Sequence, residues 1–466
     1  MDGTMANQSV SRRHFFYGAL LAGAVPTAGY GSTPSLKFMG YKSPNEKLNI
    51  ASVGAGGKAA SDIQGCSTEN IVAMADPDDK RAERMFKLHE KAPKFKDFRR
   101  MFDQEAKNID AVIVAIPDFM HATAATWAME RGKHVYVQKT LTRTIWEARM
   151  LTEAAQKYKV ATQMGNQGYS GEGTRQCAEI IWSGEIGDVK EVHAWTNRPI
   201  WPQGLTEIPA EAAVPDTLDW NTWLGIQSMR PYSPAYLPGK WRGFFDFGCG
   251  ALGDMACHIL GAPNMALMLG APTSAECVSQ EGTSTFSFPK KSVIRFDFPK
   301  RGTMPAVSLY WHDGMTGPPA YPKGLAETEK LGDVLYEGRQ PNPKDPPPDS
   351  NGSLFIGEKG FVTTGTYGQN TRLLPADRMK DYKMPPQLLT RSPGHYRDWI
   401  RACKGGEPAC SNFNISGPFT EWILLGVLAL RFPGKLEWDS AKMRVTNVPE
   451  ANHLLRPKFR KGWTLG

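Results

Sequence analysis

Three side chains of the sequence have the types and spacing needed to oxidise a hydroxyl group: Lys139, Asp254 and His258. Asp254 and His258 lie four residues apart after a glycine-rich turn, so on a helix both occupy one face. A histidine whose pKa is near neutral can accept a hydroxyl proton, and a lysine cation can stabilise the alkoxide that forms. The pattern predicts hydride transfer from a carbinol. The alternative is a surface pair or a helix cap with the same spacing.

A glycine-rich run, GAGGKA at residues 54–59, matches the G-x-G-x-x-A pattern of dinucleotide-binding turns. It follows an apolar strand predicted over Leu48–Val53 and precedes a helix predicted over Ala59–Cys66, which is the context that this pattern requires. Glycines permit the tight turn and the approach of a pyrophosphate to the helix N-terminus. The alternative is a glycine turn that binds no ligand. The predicted cofactor contacts in this turn are Gly54, Ala55, Gly56 and Gly57.

Asp76 lies at the end of the second predicted strand, twenty residues beyond Gly56. An acid at this place hydrogen-bonds a ribose 2′-hydroxyl and disfavours a 2′-phosphate. The sequence therefore predicts NAD as the cofactor, in preference to NADP. The alternative for Asp76 alone is an N-cap of the helix that follows.

Short apolar runs alternate with amphipathic stretches in the first third of the chain, which predicts βαβ units and a parallel sheet. The predicted strands are Leu48–Val53, Ile71–Ala75, Ala111–Ile116, His134–Val137 and Val160–Met164. The predicted helices are Ala59–Cys66, Lys80–His89, Ala122–Glu130 and Ile145–Tyr158. We assign residues 47–167 to a Rossmann domain in an α/β protein. The alternative is a mixed α+β arrangement.

After Gly168 the strands alternate apolar and polar residues, which predicts an antiparallel sheet with one covered face. The predicted strands are Val189–Trp195, Ala275–Val278, Val293–Phe298 and Ala306–Trp311, and the predicted helices are Glu172–Ser183, Gly394–Cys403 and Phe419–Phe432. We assign residues 168–466 to an α+β domain with an open, mainly antiparallel sheet, for substrate binding and oligomerisation. A Pro-rich surface excursion is predicted over residues 317–349.

Two adjacent arginines, Arg12 and Arg13, precede the short apolar run Tyr17–Val25. This arrangement is typical of a twin-arginine export signal, and the run is shorter than the roughly 18 residues that a membrane span needs. We expect a signal over residues 1–31, a linker over 32–46 and no stable membrane anchor. The twin-arginine machinery would then export the folded protein to the periplasm or the cell exterior. The alternative is a chance arginine pair.

The charge and cysteine content argue against two classes of protein. The formal net charge is +8, but the basic residues are scattered, whereas nucleic-acid binding needs a clustered basic surface. The seven cysteines are dispersed and contain no CxxC, so the sequence indicates neither a metal site nor a disulfide framework. A single bridge between Cys403 and Cys410 stays open.

Three further segments carry a family resemblance: VIVAIPDFMH at 112–121, HVYVQKT at 134–140 and GCGALGDMACH at 248–258. In this order they resemble three motifs of the Gfo/Idh/MocA family, which includes glucose–fructose oxidoreductase and inositol dehydrogenase. These motifs are the strand ending in Pro with a following His, the E-K-P segment and the G-G-G-x-x-x-D-x-x-x-H segment. The resemblance covers the chain from Leu48 onward. It implies a nicotinamide-dependent oxidoreductase that forms homodimers or homotetramers.

The resemblance also implies cofactor contacts outside the glycine turn, at Ile116, Pro117, His121, Gln138 and Lys139. Two positions depart from the family, because Gln138 and Thr140 stand where the family has the Glu and Pro of E-K-P. That proline helps to place the lysine near the nicotinamide, so the departure concerns the geometry of Lys139. For His121, helix capping or core packing is the alternative.

Substrate contacts are predicted in two places. Asn166, Gln167 and Tyr169 follow the last strand of the predicted parallel sheet, where ligands of such sheets bind. Further along, aromatic-rich segments contain side chains of the kind that stack on sugar rings: Trp195, Arg198, Trp201, Trp241 and Arg242. Of these we expect Trp241 and Arg242 to bind substrate, with core or interface packing as the alternative for a tryptophan.

The sequence thus predicts an oxidoreductase that acts on a hydroxyl of a carbohydrate or polyol through tightly bound NAD. Tight binding is expected because an exported enzyme has no pool of free cofactor. One alternative is an NAD-dependent glycoside hydrolase or lyase that oxidises its sugar transiently. Another is a sugar-binding protein without turnover, which Gln138 and Thr140 would favour.

Overall fold

The computed structural model describes residues 46–319, 321–334 and 348–464. The expected export signal, nearly all of the expected linker and part of the Pro-rich segment lie outside the described residues. Within the described part of the chain, no helix has both the length and the apolar character needed to cross a membrane.

The first sheet contains six strands: β1 (Asn49–Val53), β2 (Asn70–Ala75), β3 (Lys94–Phe95), β4 (Ala111–Val114), β5 (His134–Val137) and β6 (Thr162–Met164). They pair in the order β3-β2-β1-β4-β5-β6, and every pair is parallel. These strands are short, largely apolar runs because helices cover both faces of the sheet. The prediction of a Rossmann-like parallel sheet is confirmed. β3 is not predicted from the sequence, since two residues show no periodicity.

Five helices connect these strands: α1 (Lys58–Gly65), α2 (Asp79–Leu88), α3 (Phe98–Glu105), α4 (His121–Glu130) and α5 (Ile145–Tyr158). Each of α2, α3 and α5 begins at a side chain that accepts hydrogen bonds from the first turn. Asp78 caps α2, so the N-cap that the sequence left open for Asp76 belongs to Asp78.

The second sheet contains nine strands: β7 (Val189–Trp195), β8 (Ser274–Glu281), β9 (Lys291–Phe298), β10 (Val307–Asp313), β11 (Gly352–Gly357), β12 (Gly360–Thr364), β13 (Arg372–Leu374), β14 (Lys435–Asp439) and β15 (Arg444–Val445). Their order is β13-β12-β11-β7-β10-β9-β8-β14-β15. Among these described strands only β7 with β10 is a parallel pair. The mainly antiparallel sheet is therefore confirmed.

Six more helices complete the fold: α6 (Glu172–Trp182), α7 (Trp220–Leu224), α8 (Gly250–Ile259), α9 (Gly261–Ala266), α10 (His395–Cys403) and α11 (Phe413–Ala429). Two of them join the first sheet to the rest of the chain. α10 packs Trp399 into the core between β1 and β5, edge-to-face against Tyr136. α11 packs on α5, where Arg149 donates two hydrogen bonds of 2.6–2.7 Å to the Glu421 carboxylate.

α11 begins six residues before the position predicted from the sequence. The prediction placed its start at Phe419 because Pro418 lacks a backbone N–H and interrupts a helix. In the structure Asn412 accepts a hydrogen bond from the backbone N–H of Asn414 and caps the helix ahead of the proline. The cap and the packing on α5 therefore outweigh the local effect of Pro418.

We predict that Trp399→Ala lowers the free energy of unfolding by about 4 kcal/mol, because it leaves a cavity in the core shared by α10 and the first sheet. Urea unfolding followed by circular dichroism measures this loss. Leu388→Ala is the control, since Leu388 is 65% exposed and its truncation should change stability by less than about 0.5 kcal/mol. Equal effects of the two substitutions would contradict the packing of α10 on the sheet.

Candidate active site

A cleft of about 980 Å³ lies between the carboxyl ends of the first sheet and the loops of the second. Ligands of open parallel sheets bind at these ends. Its walls come from the glycine turn after β1, the segments that follow β2, β4 and β5, helix α8 and three loops of the second sheet. Nine residues predicted to be functional line it: Gly56, Asp76, Ile116, Pro117, Gln138, Lys139, Gln167, Trp241 and Arg242, together with the pair Asp254 and His258.

Asp76 holds the glycine turn in place by accepting two backbone hydrogen bonds from it. The backbone N–H groups of Ala55 and Gly56 donate to Oδ2 of Asp76 at 2.9 and 3.2 Å. Burial raises the pKa of Asp76, and these backbone hydrogen bonds oppose that rise. The carboxylate thus stands at the end of β2, beside the turn, where a ribose hydroxyl would meet it.

Two glycines of the turn leave room that any other residue would fill. Gly54 has a φ of +96°, which side chains rarely adopt. A Cβ on Gly56 would lie 2.7 Å from the backbone oxygen of Arg81. A turn that lacks Cβ atoms at a helix N-terminus leaves room for the pyrophosphate of a dinucleotide. The acidic residue that follows it also fits a dinucleotide. Gly54, Ala55 and Gly57 do not line the cleft themselves and shape the turn from behind.

One carboxylate joins the two halves of the cleft. Nζ of Lys139, just after β5, donates to Oδ1 of Asp254 at 2.7 Å and to its backbone oxygen at 2.7 Å. Nε of Arg242 donates to the same Oδ1 at 2.7 Å. The Arg242 guanidinium also stacks over the Trp241 ring, 4.2 Å from its centroid. Two cations therefore share one anion at the centre of the site.

The electrostatics of this group follow from burial and charge. Burial alone would raise the pKa of Asp254, but Lys139 and Arg242 lower it well below its usual range, so the carboxylate is ionised. Burial and the charge of Lys139 together hold the pKa of His258 well below its usual value. His258 is thus a neutral imidazole at physiological pH.

His258 stands ready to interact with a ligand. Within the described part of the chain, neither nitrogen of its ring has a hydrogen-bond partner, and Nδ1 is buried. The ring meets Tyr367 edge-to-face, with centroids 4.9 Å apart. A buried polar atom without a partner is costly, so a site that keeps one commonly uses it on a ligand.

Tyr367 is a cleft residue that the sequence reasoning missed. Its loop, between β12 and β13, is held by Asp333, which accepts hydrogen bonds from Thr366 Oγ1 at 2.6 Å and from Gln369 Nε2 at 2.6 Å. The backbone N–H of Tyr367 donates to Gln369 Oε1 at 2.7 Å. The only local signal was an aromatic residue between two glycines in GTYGQN, which does not indicate a partner.

The two departures from the family motif acquire partners in the structure. Nε2 of Gln138 donates to Asp62 at 2.8 Å, and Oε1 accepts from the backbone N–H of Lys139 at 3.3 Å. Thr140 Oγ1 donates to the backbone oxygen of Gly253 at 2.6 Å. The segment that carries Lys139 is therefore tied to α1 on one side and to α8 on the other.

Asp62 is the centre of a second buried cluster behind the glycine turn. It accepts hydrogen bonds from Lys58 Nζ and from the Tyr396 hydroxyl, both at 2.7 Å, besides the one from Gln138. Tyr396 belongs to α10, so the C-terminal part of the chain supports the turn directly. This cluster was not predicted, because Gln138 and Tyr396 come from segments far from α1 in the sequence.

Besides Gly54, Ala55 and Gly57, three further predicted contacts do not line the cleft. Both nitrogens of His121 lie 2.8 Å from backbone oxygens, those of Thr140 and Ile116, so it braces the strand ends from the core. Asn166 is buried and bonded to Ser411 and to the backbone oxygen of Cys257. Tyr169 is 3% exposed, and its hydroxyl accepts from Asn264. For Asn166 and Tyr169, their position after β6 predicted that they lie near the cleft, but it did not predict where their side chains point.

The structure decides two alternatives that the sequence left open. Trp195 is fully buried, and its Nε1 donates to the backbone oxygen of Asp349, so it packs in the core and does not stack on a ligand. Cys403 and Cys410 are both free thiols, so the bridge that the sequence left open is not formed.

Comparison with known families agrees with this geometry. The model described as "Oxidoreductase family, NAD-binding Rossmann fold" matches residues 48–166, and the one described as "Oxidoreductase family, C-terminal alpha/beta domain" matches residues 185–277. The fold is that of the Gfo/Idh/MocA oxidoreductases. Both matches support membership of that family, and the conserved order of the two parts agrees with the two sheets described above.

Two curated proteins are similar to part of this chain. A glycosyl hydrolase family 109 protein of Solibacter usitatus is 30% identical over 177 residues, which is 34% of this chain and 40% of that protein. A dTDP-3,4-didehydro-2,6-dideoxy-alpha-D-glucose 3-reductase of Saccharopolyspora spinosa is 31% identical over 133 residues, which is 28% of this chain and 39% of that protein. The chain thus spans about two fifths of the length of these relatives.

A solved structure extends the likeness over most of the fold. The WlbA dehydrogenase from Bordetella pertussis, in complex with NADH and UDP-GlcNAcA, superimposes with a TM-score of 0.58 at 15% identity. The match covers 84% of this chain and 99% of that one. At this identity the likeness concerns the Gfo/Idh/MocA fold alone.

We predict that Asp254→Asn lowers the free energy of unfolding by about 3 kcal/mol at pH 7, because Lys139 and Arg242 lose the anion between them. Urea unfolding measures the loss. The matched control is Asp103→Asn, whose carboxylate is exposed and 3.9 Å from Arg100, and which should cost less than about 0.5 kcal/mol.

The same pair of proteins gives a pH test. The pKa of Asp254 is lowered in the folded state, so its stabilisation is present above the unfolded pKa of about 3.9 and is lost as the pH falls below it. The difference in stability between wild type and Asp254→Asn should therefore shrink between pH 5 and pH 3. A constant difference would show that the carboxylate is not held ionised by the two cations.

Proposed function

We propose that this protein is an NAD-dependent oxidoreductase that acts on a hydroxyl group of a sugar, glycoside or polyol. The observation that carries the proposal is the neutral His258, whose ring has no hydrogen-bond partner among the described residues. It lies beside Lys139 and Asp254 in a cleft that includes a dinucleotide-type glycine turn. The family model with an NAD-binding Rossmann fold supports the cofactor class. Trp201, which is partly exposed, lines the same cleft and supports a carbohydrate, because aromatic rings stack on sugars.

The residues of the glycine turn fit the cofactor as described above. Gly56 and the amides at the start of α1 would face the pyrophosphate, Asp76 would accept from a ribose hydroxyl, and Ile116, Pro117 and Gln138 would line the nicotinamide end. When bound, the dinucleotide supplies the hydride acceptor. Asp76 disfavours a 2′-phosphate, which is why NAD is preferred over NADP in the proposal.

The chain's own residues would handle the proton and the oxygen. The carbinol carbon of the substrate loses hydride while its hydroxyl proton passes to an imidazole nitrogen of His258, and the C=O bond forms. The ionised Asp254, four residues earlier on α8, favours the imidazolium that results. Lys139, fixed by two hydrogen bonds to Asp254, stabilises the negative charge that develops on the oxygen.

A second candidate is glycoside cleavage by transient oxidation, which the glycosyl hydrolase family 109 relative favours. In that reaction the oxidised sugar loses a proton next to the ketone and then its leaving group, water adds, and hydride returns to the carbon. Its products carry no net oxidation. Incubating the protein with a chromogenic glycoside and a catalytic amount of NAD distinguishes the two, because cleavage without net NADH formation indicates the second.

The proposal also includes export of the protein and its assembly into oligomers. A tightly held cofactor suits export of the folded protein by the twin-arginine machinery, and the open second sheet suits association into homodimers or homotetramers. Mass spectrometry of the denatured, purified protein would detect dinucleotide that survives dialysis.

We predict that Gly56→Ala weakens NADH binding at least about tenfold, because the added Cβ would meet the backbone oxygen of Arg81 at 2.7 Å and intrude on the pyrophosphate position. Quenching of protein fluorescence on titration with NADH measures the affinity. Gly317→Ala is the control, since its Cβ would meet nothing within 4 Å. Unchanged binding by Gly56→Ala would contradict the assignment of the turn to a dinucleotide.

We predict that Lys139→Ala and His258→Gln each lower kcat about 100-fold or more, while NADH affinity changes only a few-fold. Each removes a group that acts on the reacting oxygen or its proton. Lys87→Ala, at an exposed pair on α2, should leave kcat unchanged. If ligand binding survives in wild type but no sugar or polyol is ever oxidised, the enzyme proposal fails and a binding protein is indicated.

A further inference from the structure

The cleft has more positive charge than the central carboxylate can balance. Lysine and arginine side chains outnumber carboxylates seven to four among its lining residues. The pyrophosphate of a dinucleotide would neutralise two of the positive charges. Lys139 and Arg242 share Asp254, while Lys58 and Lys96 pair with Asp62 and Asp79, which are not among the lining residues. The other cations of the lining are Arg81, Arg198 and Lys240.

Arg198 and Lys240 are two such cations at the loops of the second sheet. Among the described residues, neither has a carboxylate at ion-pair distance. Nη1 of Arg198 donates to Oδ1 of Asn197 at 2.9 Å, and Nζ of Lys240 donates to the backbone oxygen of Pro234 at 3.3 Å. Both acceptors are neutral, so among the described residues no carboxylate pairs with either cation.

Arg198 is held in place by its surroundings. Its backbone N–H donates to Thr196 Oγ1 at 3.3 Å, and its backbone oxygen accepts from Gly314 at 2.7 Å, at the ends of β7 and β10. Asn351, which is 1% exposed, accepts from Thr196 Oγ1 and from the Asn197 backbone. A guanidinium presented from a fixed backbone loses little conformational freedom when it binds an oxyanion.

Arg198 lines the cleft together with Tyr367 and His258. Burial raises the pKa of Tyr367, and the positive charges of Lys139 and Arg198 oppose this rise, so both cations are within electrostatic range of its hydroxyl. The Tyr367 ring in turn contacts His258. Arg198 therefore belongs to the part of the cleft that contains Tyr367 and His258.

We propose that the substrate of this site is an anionic sugar or polyol, whose carboxylate or phosphate group binds Arg198, with Lys240 adding to the attraction. The inference rests on the proposed function and narrows its substrate class. The reacting hydroxyl would lie at Lys139 and His258, and the oxyanion would be held by the planar fork of the guanidinium.

The test is calorimetric titration of the protein saturated with NADH, so that turnover is not needed. The ligands are D-glucuronate, D-glucose 6-phosphate and D-glucose, and the proteins are wild type, Arg198→Gln, Arg198→Lys and the control Arg100→Gln, an exposed arginine on α3. We expect wild type to bind at least one of the anions about tenfold or more tightly than glucose. The anion that wins tells whether a carboxylate or a phosphate is recognised.

Arg198→Gln should weaken binding of that anion about 10- to 100-fold and leave glucose within about twofold, as loss of a charge-assisted hydrogen bond implies. Arg198→Lys keeps the positive charge but lacks the planar guanidinium, so its affinity for that anion should lie between those of wild type and Arg198→Gln. It replaces Arg198→Gln in the test if the glutamine variant does not fold. Two results with wild type would overturn the inference: glucose binds as tightly as both anions, or neither anion binds. An equal loss of affinity for all three ligands in Arg198→Gln would also overturn it. Selective anion binding without any hydride transfer would instead overturn the proposed function.

Discussion

The carboxylate of Asp254 is the group on which the geometry of the whole site depends. It receives Lys139 from the carboxyl end of the parallel sheet and Arg242 from a loop of the second half of the chain, through a single oxygen. A buried anion between two cations is stable only while all three are present, because each cation compensates the cost of burying the carboxylate. The same interaction therefore holds the two halves of the cleft in register and positions Lys139.

Neutral hydrogen bonds hold this charged centre at its edges. Thr140 binds the backbone of α8 one residue before Asp254, and Asn166 binds it at Cys257, one residue before His258. Gln138 connects the lysine segment to Asp62 and thus to the glycine turn. These hydrogen bonds fix the direction of the side chains proposed to act on a ligand, as supporting residues do in other active sites. His121 and Asn166, which the sequence offered as ligand contacts, have this supporting role.

The sequence predicted what is local and periodic. The glycine turn, the strand–helix alternation and the pair Asp254 and His258 are readable because each depends on residues within a few positions of one another. Tyr367 and Asp333 were not predicted, because they reach the cleft only through the pairing of distant strands. The contacts of Asp62 with Gln138 and Tyr396 likewise join segments that are far apart in the sequence. Asn166 and Tyr169 show the limit between these cases: the end of a strand locates a residue near the site, but the packing of α9 and α11 decides where its side chain points.

The two candidate reactions differ in the proton transfers that they need. Net oxidation needs one acceptor for the hydroxyl proton, and a neutral His258 beside a fixed lysine meets this need directly. Cleavage by elimination also needs a base for the proton on the neighbouring carbon and a donor for the leaving group. Tyr367 is the titratable side chain in contact with His258, and burial raises its pKa, so it is protonated at neutral pH. A protonated phenol can donate to a leaving group but is a poor base, which favours net oxidation as the first reading of the site.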